Sequence, residues 1–441
     1  MSHLARMIGM GTCLFVAGML AWADAPTEIW VGPHDGAGAV TTIQAAIDAV
    51  AAGGTVYVAA GSYAERLTIT KPLTLLGAKA GVIPAERDTP SEESILVPPT
   101  HDLSLPRGTL ITIAADNVTV DGFTLDGDNP LISSGEPING YDMNAALAVG
   151  QLNGDLAGVL VGHNIIRNFS VGGVRFDCPS LPHQPKGINA VVYNHISNLA
   201  PEALGVRANG QHLRVAYNTV LDATYGIQMH FISSLDGTSI PQVTGNTVRA
   251  TTAGIMMVLL NSQTRVGGPS ALVNHNTVQM TTTDREDFPA TSLVIHYIEH
   301  QTQLLVSDNT FSGGDVGISL WEIHTANLNN VTIANTTIIG ARYGIWFRNW
   351  LPMPETGAAR PSGALFSNVT VRNATEAGIC LDGGTRGDTI TTTLRDVTVD
   401  GGPVGLLLRG AKITLDGVPT LRNQTRTAMV AEDGAILPNT N

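Results

Sequence analysis

Residues 217–231 read Y-N-T-V-L-D-A-T-Y-G-I-Q-M-H-F. Asn218 opens a turn, Val220 is apolar, and a polar bend leads to Gly226. Ile227, Met229 and Phe231 then alternate with Gln228 and His230, the period-two pattern of a strand with one face inside and one face out. The same phrase recurs along the chain. Asn164, Asn194, Asn218, Asn246, Asn276, Asn309, Asn335, Asn368 and Asp396 each precede a short apolar run. Most runs reach a glycine followed by an apolar residue: Gly173, Gly205, Gly226, Gly254, Gly317, Gly344, Gly378 and Gly405. Successive asparagines are 24 (194 to 218), 28 (218 to 246), 30 (246 to 276) and 33 (276 to 309) residues apart. A third apolar pair precedes each marker, as in Leu213 and Val215 or Leu304 and Val306. Three short strands per repeat, with turn residues at fixed offsets, describe an all-β chain: a β-solenoid, or parallel β-helix.

The repeat runs without a linker from about Thr55 to Met429, so residues 24–441 are expected to form one elongated β-helix domain. Residues 1–23 read as an export signal, with Arg6 at the positive end, residues 8–20 apolar, and Ala21-Trp22-Ala23 as the cleavage site. The expected destination is secreted or periplasmic. No later stretch has the roughly 18 apolar residues of a membrane helix. The net charge of −13, with 24 basic against 37 acidic residues, argues against nucleic acid as a partner and gives no reason to expect an anionic membrane. Of three cysteines, Cys178 and Cys380 lie beyond the signal. Seven repeats separate them, about 33 Å at roughly 4.7 Å per step, so they are not expected to pair.

Residues 42–52 are the one helical stretch. Ile43, Ile47 and Val50 share a face, Thr41 or Thr42 can cap the start, and Gly53-Gly54 ends it. Its expected task is to cover the open N-terminal end of the solenoid. T-I-Q-A-A-I-D-A (42–49), V-Y-V-A-A-G-S-Y-A-E (56–65) and L-T-I-T-K-P-L-T-L-L-G (67–77) resemble the opening coil of the pectin-lyase-like right-handed parallel β-helix superfamily, nearest to pectinesterases and bacterial β-helix repeat proteins. The resemblance implies the fold. It carries over no catalytic residue, because the motifs of pectinesterases, pectate lyases and polygalacturonases are missing, and Gly32-Pro33-His34-Asp35 only echoes the D-P-H of alginate epimerases.

A site is expected where the repeat leaves its regularity. Counting from the glycine, positions one and three are apolar and point inward: Ile227 and Met229, Ile318 and Leu320, Ile345 and Phe347. Positions two and four then point outward. Position two reads Arg175, Arg207, Gln228, Met256, Val294, Ser319, Trp346, Cys380. Position four reads Asp177, Asn209, His230, Val258, His296, Trp321, Arg348, Asp382, Arg409, with His296 aligned by taking Ser292 for the missing glycine. Glu299 and Glu322 lie just beyond. The long insertions 179–186, 233–241, 261–269 and 352–362 follow this strand and would wall a groove; 82–107 and 126–153 are earlier excursions.

Such a groove suits a polysaccharide. Arg175, Arg207, Arg348 and Arg409 favour an anionic, uronate-containing one, because a guanidinium pairs with a carboxylate and acidifies the neighbouring C–H. The expected catalytic set is His230 or His296 as base, with Arg348, Asp177 and Glu322, in lyase or C5-epimerase chemistry. Arg175, Arg207, Gln228, Trp321, Trp346 and Trp350 are the expected substrate-binding residues, the tryptophans as stacking platforms. Two alternatives stand: a glycoside hydrolase using Asp177, Glu299, Glu322 or Asp382, and a non-catalytic carbohydrate-binding or surface protein. No cofactor is expected; Asp126-Gly127-Asp128-Asn129 offers oxygen ligands for calcium, but Asp-Gly in a turn explains it as well. The asparagine column reads as a structural ladder. The C-terminal end is closed either by residues 421–438 or by another subunit.

Overall fold

A computed structural model of the chain describes residues 25–33, 40–99, 108–132, 137–138, 141–151, 156–177, 187–209, 213–230, 240–262, 271–283, 288–300, 303–324, 331–348, 361–383, 389–410 and 412–438. Residues 1–23, where an export signal is expected, Cys178, Trp350 and most of the insertions expected to wall a groove lie outside these residues. Among them, no helix is long and apolar enough to cross a membrane.

The repeats stack as a parallel β-helix. One sheet of 14 parallel strands runs from Glu28–Val31 to Ile413–Asp416. The other two strands of each coil form a second sheet of 24 strands, a column of short ones such as Thr310–Ser312 and a column of longer ones such as Val316–His324. In Thr219–His230 and Thr247–Ser262 the short and long segments are continuous. Side-chain alternation puts one apolar column from each sheet inside. Val191, Val215, Val243, Val273, Val306, Ile333 and Phe366 follow one another in register and are fully buried. Facing them run Val206, Ile227, Ile255, Leu293, Ile318, Ile345, Ile379 and Leu406. Each such side chain contributes about 1.5–3 kcal/mol of burial.

The register read from the glycines holds strand by strand. Gly205 and Gly226 are neighbours, as are Gly344 and Gly378, because the residues after them pair directly. The glycine is required by crowding. A Cβ on Gly344 would sit 2.3 Å from Val371 Cγ1 and 2.6 Å from the carbonyl oxygen of Gly378. Gly344→Ala is therefore expected to lower the unfolding free energy by about 1–3 kcal/mol, read as a lower midpoint in a denaturant titration. An unchanged midpoint would mean the coil relaxes there, as Ser292 is accommodated at the equivalent position.

The asparagines divide into two columns where the sequence suggested one. Asn164, Asn194, Asn218, Asn246, Asn276 and Asn309 are buried, and each of the first five donates from Nδ2 to Oδ1 of the next at 2.9–3.0 Å. Asn335, Asn368 and Asp396 belong one position earlier, with His163, Tyr193, Tyr217, Gly245, His275 and Asp308, where every φ lies between 47° and 65°. That left-handed residue turns the chain, and Asn tolerates it as well as Gly does. The ladder itself stops at Asn309, replaced in the next coil by the buried Thr336.

The helix spans Ile43–Ala49, three residues shorter than expected at its C-terminal end, because Val50 already has extended backbone. Thr42 caps it through its side chain, at 3.3 Å from the Ala45 N–H, and the carboxylate of Glu65 accepts from the N–H groups of Ile43 and Gln44. Ile43, Ala46 and Ile47 are buried over the first coil. The two early excursions are partly coils: Ser94–Val97 pairs with Gly61–Ala64 and Phe123–Asp126, and Leu147–Gln151 with Thr109–Ile113 and Gly172–Asp177. Arg87, whose side chain is 1% exposed, pins the first of them, 3.1 Å from Glu93 and bonded to the carbonyls of Lys79 and Val82.

Candidate active site

The long strand of the second sheet presents its outer residues in the expected order. Arg175, Arg207, Gln228, Met256, Val294, Ser319, Trp346 and Cys380 form one column, and Asp177, Asn209, His230, Val258, His296, Trp321, Arg348, Asp382 and Arg409 the other. Their surroundings divide the face into distinct regions.

At the N-terminal end three charges converge. Arg175 donates from Nε to Asp177 Oδ2, and Arg207 Nε lies 3.3 Å from Asp177 Oδ1. The Asp177 carboxylate is thus held between two guanidiniums, each partly exposed. His230 lies two strand steps from Asp177, through Asn209, and a diagonal step from Arg207. Burial, helped by the positive charge of Arg207 and opposed by Asp177, pushes its pKa down to about 4. At neutral pH the imidazole is uncharged and able to accept a proton. Gln228, expected as a binding residue, is 7% exposed and points its amide at the sulfur of Met256 at 3.6 Å.

In the middle of the face an apolar patch forms from Ala253, Met256 and Val294, with Tyr225, Val258 and Phe288 against it. His296 adjoins it, edge-on to Trp321 at 5.4 Å between ring centroids, while Phe288 touches the same indole at 5.3 Å. Phe288 follows an aperiodic stretch, so the repeat carries no sign of its placement.

The third region differs most from expectation. Arg348 is 6% exposed and lies between two indoles, its guanidinium carbon 4.0 Å from the ring centroid of Trp321 and 4.2 Å from that of Trp346. Trp321 is 7% exposed. Each indole therefore spends a face on the cation; Trp321 is buried and Trp346 half-buried. Burial lowers the Arg348 pKa to about 10 against the opposing pull of Asp382, so the group stays charged at neutral pH. Arg348, expected as a substrate-facing cation, is thus buried between the two indoles. Beside it, and running beyond it, Tyr343, Ala377, Cys380, Val404 and Leu407 pack into an apolar cluster, while Asp382 and Arg409 keep the neighbouring column charged. Tyr343 packs in this outer cluster although Ile345, two residues on, packs in the core, so the alternation breaks at Gly344, which period two alone does not predict.

Cys380 is a buried free thiol whose pKa burial raises to about 12. It should resist a thiol reagent in the native protein and react once in denaturant; rapid native labelling would contradict this packing. The backbone of Glu299 and Glu322 continues the strands Thr291–His300 and Val316–His324, but their side chains, like Trp350, lie outside the described residues. Asp126 is engaged by Arg167 Nε at 2.7 Å and Asn168 Nδ2 at 2.6 Å, and its Oδ1 also accepts from the Asp128 N–H, as in an Asx turn. Among the described residues no group of three or more His, Cys, Asp or Glu is arranged to hold a metal.

Residues 234–418 match the family described as "Right handed beta helix region". No curated protein matches the chain. Among solved structures it is similar to the catalytic domain of a variant GH87 alpha-1,3-glucanase in complex with nigerose, at 15% identity and a TM-score of 0.54, covering 91% of this chain and 68% of that one. It is also similar to the catalytic unit of a GH87 alpha-1,3-glucanase from Streptomyces thermodiastaticus, at 16% identity and a TM-score of 0.54, covering 90% and 70%. With the coil register and the outer face established independently, the chain shares the right-handed parallel β-helix fold of these structures.

Proposed function

We propose that this protein acts outside the cytoplasm on an anionic, uronate-containing polysaccharide, as a lyase or C5-epimerase centred on His230. The single observation that carries the reading is the placement of His230 on the outer strand face that also holds Arg207, Arg175 and Asp177, where burial and Arg207 push its pKa down to about 4. A guanidinium that binds a uronate carboxylate stabilises the enolate-like charge formed when the C5 proton leaves. His230 is the proton acceptor, and Asp177 holds the two arginines in place. In a lyase the electron pair from C5–H forms the C4–C5 double bond as the C4–O4 bond breaks and O4 takes a proton. In an epimerase a proton returns to the opposite face of C5. His296, two strand steps or about 9.5 Å further along, is the second candidate for proton transfer.

A glycoside hydrolase is the second reading, favoured by the likeness to alpha-1,3-glucanases. It needs two carboxylates about 5–10 Å apart. Asp177 and Asp382 are seven strand steps apart, about 33 Å, so that chemistry would rest on Glu299 or Glu322. Purified protein incubated with a panel of uronate polymers tests the proposal. Products absorbing near 235 nm identify a lyase, and solvent deuterium at C5 without cleavage an epimerase. New reducing ends without unsaturation would favour the hydrolase. Binding without turnover on any polymer would leave a carbohydrate-binding protein and reject the enzyme.

A further inference from the structure

A second group of aromatic rings stands away from the face that carries His230. At the turn ending each strand of the first sheet, the left-handed residue is His163, Gly245, His275, Asp308, Asn335, Asn368 or Asp396, but in two adjacent coils it is Tyr193 and Tyr217, with φ of 57° and 58°. A bulky side chain is disfavoured in that conformation, and such outliers collect at ligand clamps. The rings form a stack. His163 lies on Tyr193 at 5.1 Å between centroids and 4° between planes, and Tyr193 on Tyr217 at 5.0 Å and 15°. The base of the stack is fixed. His163 Nδ1 is 2.8 Å from Oδ2 of the buried Asp121, and the His163 carbonyl accepts from the buried Arg87.

The stack stops at Tyr217. Thr244 pairs with Ala216, so the next turn residue is Gly245, where a Cβ would lie 2.6 Å from Cδ1 and Cε1 of Tyr217. One face of the Tyr217 ring is covered by Tyr193, the other looks over bare glycine backbone, and the residue is 47% exposed. The turn residue one coil further is the exposed His275, two strand steps or about 9.5 Å from Tyr217. That height admits one more ring at close to the 5.0–5.1 Å spacing of the stack.

The charge beside it narrows the ligand. Arg214 lies three residues before Tyr217, about 10 Å along the strand at roughly 3.3 Å per residue. It is exposed on the outer side of the first sheet, and its register neighbours Ala190 and Gln242 are uncharged. Among the described residues its guanidinium has no hydrogen bond or ion pair, unlike those of Arg167, Arg249, Arg342 and Arg409. An open aromatic face near an uncommitted guanidinium suits a uronate residue, whose ring C–H groups stack on the phenol while its carboxylate pairs with the arginine.

We infer that Tyr217, Gly245 and Arg214 form a second binding site for a uronate residue of a polysaccharide, on a different side of the solenoid from His230, which holds the polymer without acting on it. This rests on the uronate reading of the substrate but not on the chemistry assigned to His230.

Affinity electrophoresis of full-length His230→Ala protein through gels containing polygalacturonate, alginate or neutral dextran tests this, with a denaturant titration of each variant as the stability control. Polyuronate is expected to retard the protein. Tyr217→Asn, which keeps a residue suited to the turn, should weaken the retardation about tenfold, because one of two sites on a shared polymer is lost. Gly245→Asn should do the same by filling the space beside Tyr217, and Arg214→Gln by removing the cation. Equal retardation of the parent, Tyr217→Asn and Gly245→Asn would overturn the inference, as would no retardation by either polyuronate. A lower unfolding midpoint in Tyr217→Asn with unchanged retardation would overturn it in favour of a purely structural stack. Retardation by dextran equal to that by polyuronate would overturn the uronate assignment. The turnover panel, run on the protein with His230 intact, decides the chemistry separately: its failure would defeat the proposed reaction and leave this site standing.

Discussion

Asn246→Ala should cost about 3–5 kcal/mol of unfolding free energy, a loss out of proportion to the three heavy atoms it removes. The Asn246 amide donates to the carbonyls of Val215 at 2.9 Å and Thr244 at 3.1 Å and to Asn276 Oδ1 at 2.9 Å, while its oxygen accepts from both the backbone and the side chain of Asn218 at 2.9 and 3.0 Å. Truncation leaves a buried backbone N–H without an acceptor and interrupts the ladder, since Asn246 is 1% exposed. Each orphaned buried group costs about 1–3 kcal/mol, and the neighbours are held by their own ladder bonds and cannot turn to compensate. Asn335→Gly is the matched control. Its side chain bonds Asn368 at the surface, and glycine tolerates its φ of 47°, so the expected loss is under about 1 kcal/mol. Equal midpoint shifts for the two variants in a denaturant titration would refute the distinction between the columns.

The fold was legible because a solenoid repeats its reasons. One coil's alternation of Ile227 and Met229 with Gln228 and His230 is weak on its own; nine coils with the same offsets fix the register, including the coil where Ser292 stands for glycine. The errors fall where a neighbouring position has similar chemistry. Asn335 and Asn368 were grouped with the buried ladder because the two turn positions are adjacent and both accept asparagine. The face was legible as an order of residues but not as an environment. Alternation says that Arg348 points outward. It does not say that Trp321, one strand spacing away, and Trp346, two residues back on the same strand, close over it. Nor does it reveal the break in alternation at Gly344 that turns Tyr343 outward into an apolar cluster with Cys380 and Leu407.

His230→Ala should lower turnover on the polymer that the panel identifies by about a hundredfold or more, the usual effect of removing a general base. The pH dependence gives the prediction its discriminating power. A free histidine titrates near 6.5, whereas burial and Arg207 bring His230 to about 4. Only the neutral imidazole accepts a proton, so kcat/KM should stay level down to about pH 5 and fall with a midpoint near 4. The same shift bears on folding. Between about pH 4 and 6.5 the unfolded chain binds the proton that folded His230 refuses, so this group costs stability progressively as pH falls through that window, with no further loss below it. Neighbouring charges move the activity limb in opposite directions. Arg207→Met removes a lowering influence and should shift it upward, though still below 6.5 because burial is the larger cause. Asp177→Asn removes a raising influence and should shift it downward. His296→Ala should leave the midpoint near 4, or lift it slightly by removing a smaller positive neighbour, whatever it does to the rate. A limb at 6.5 in the parent, unmoved by Arg207→Met, would assign the base to another residue. Full activity in His230→Ala would remove His230 from the chemistry altogether.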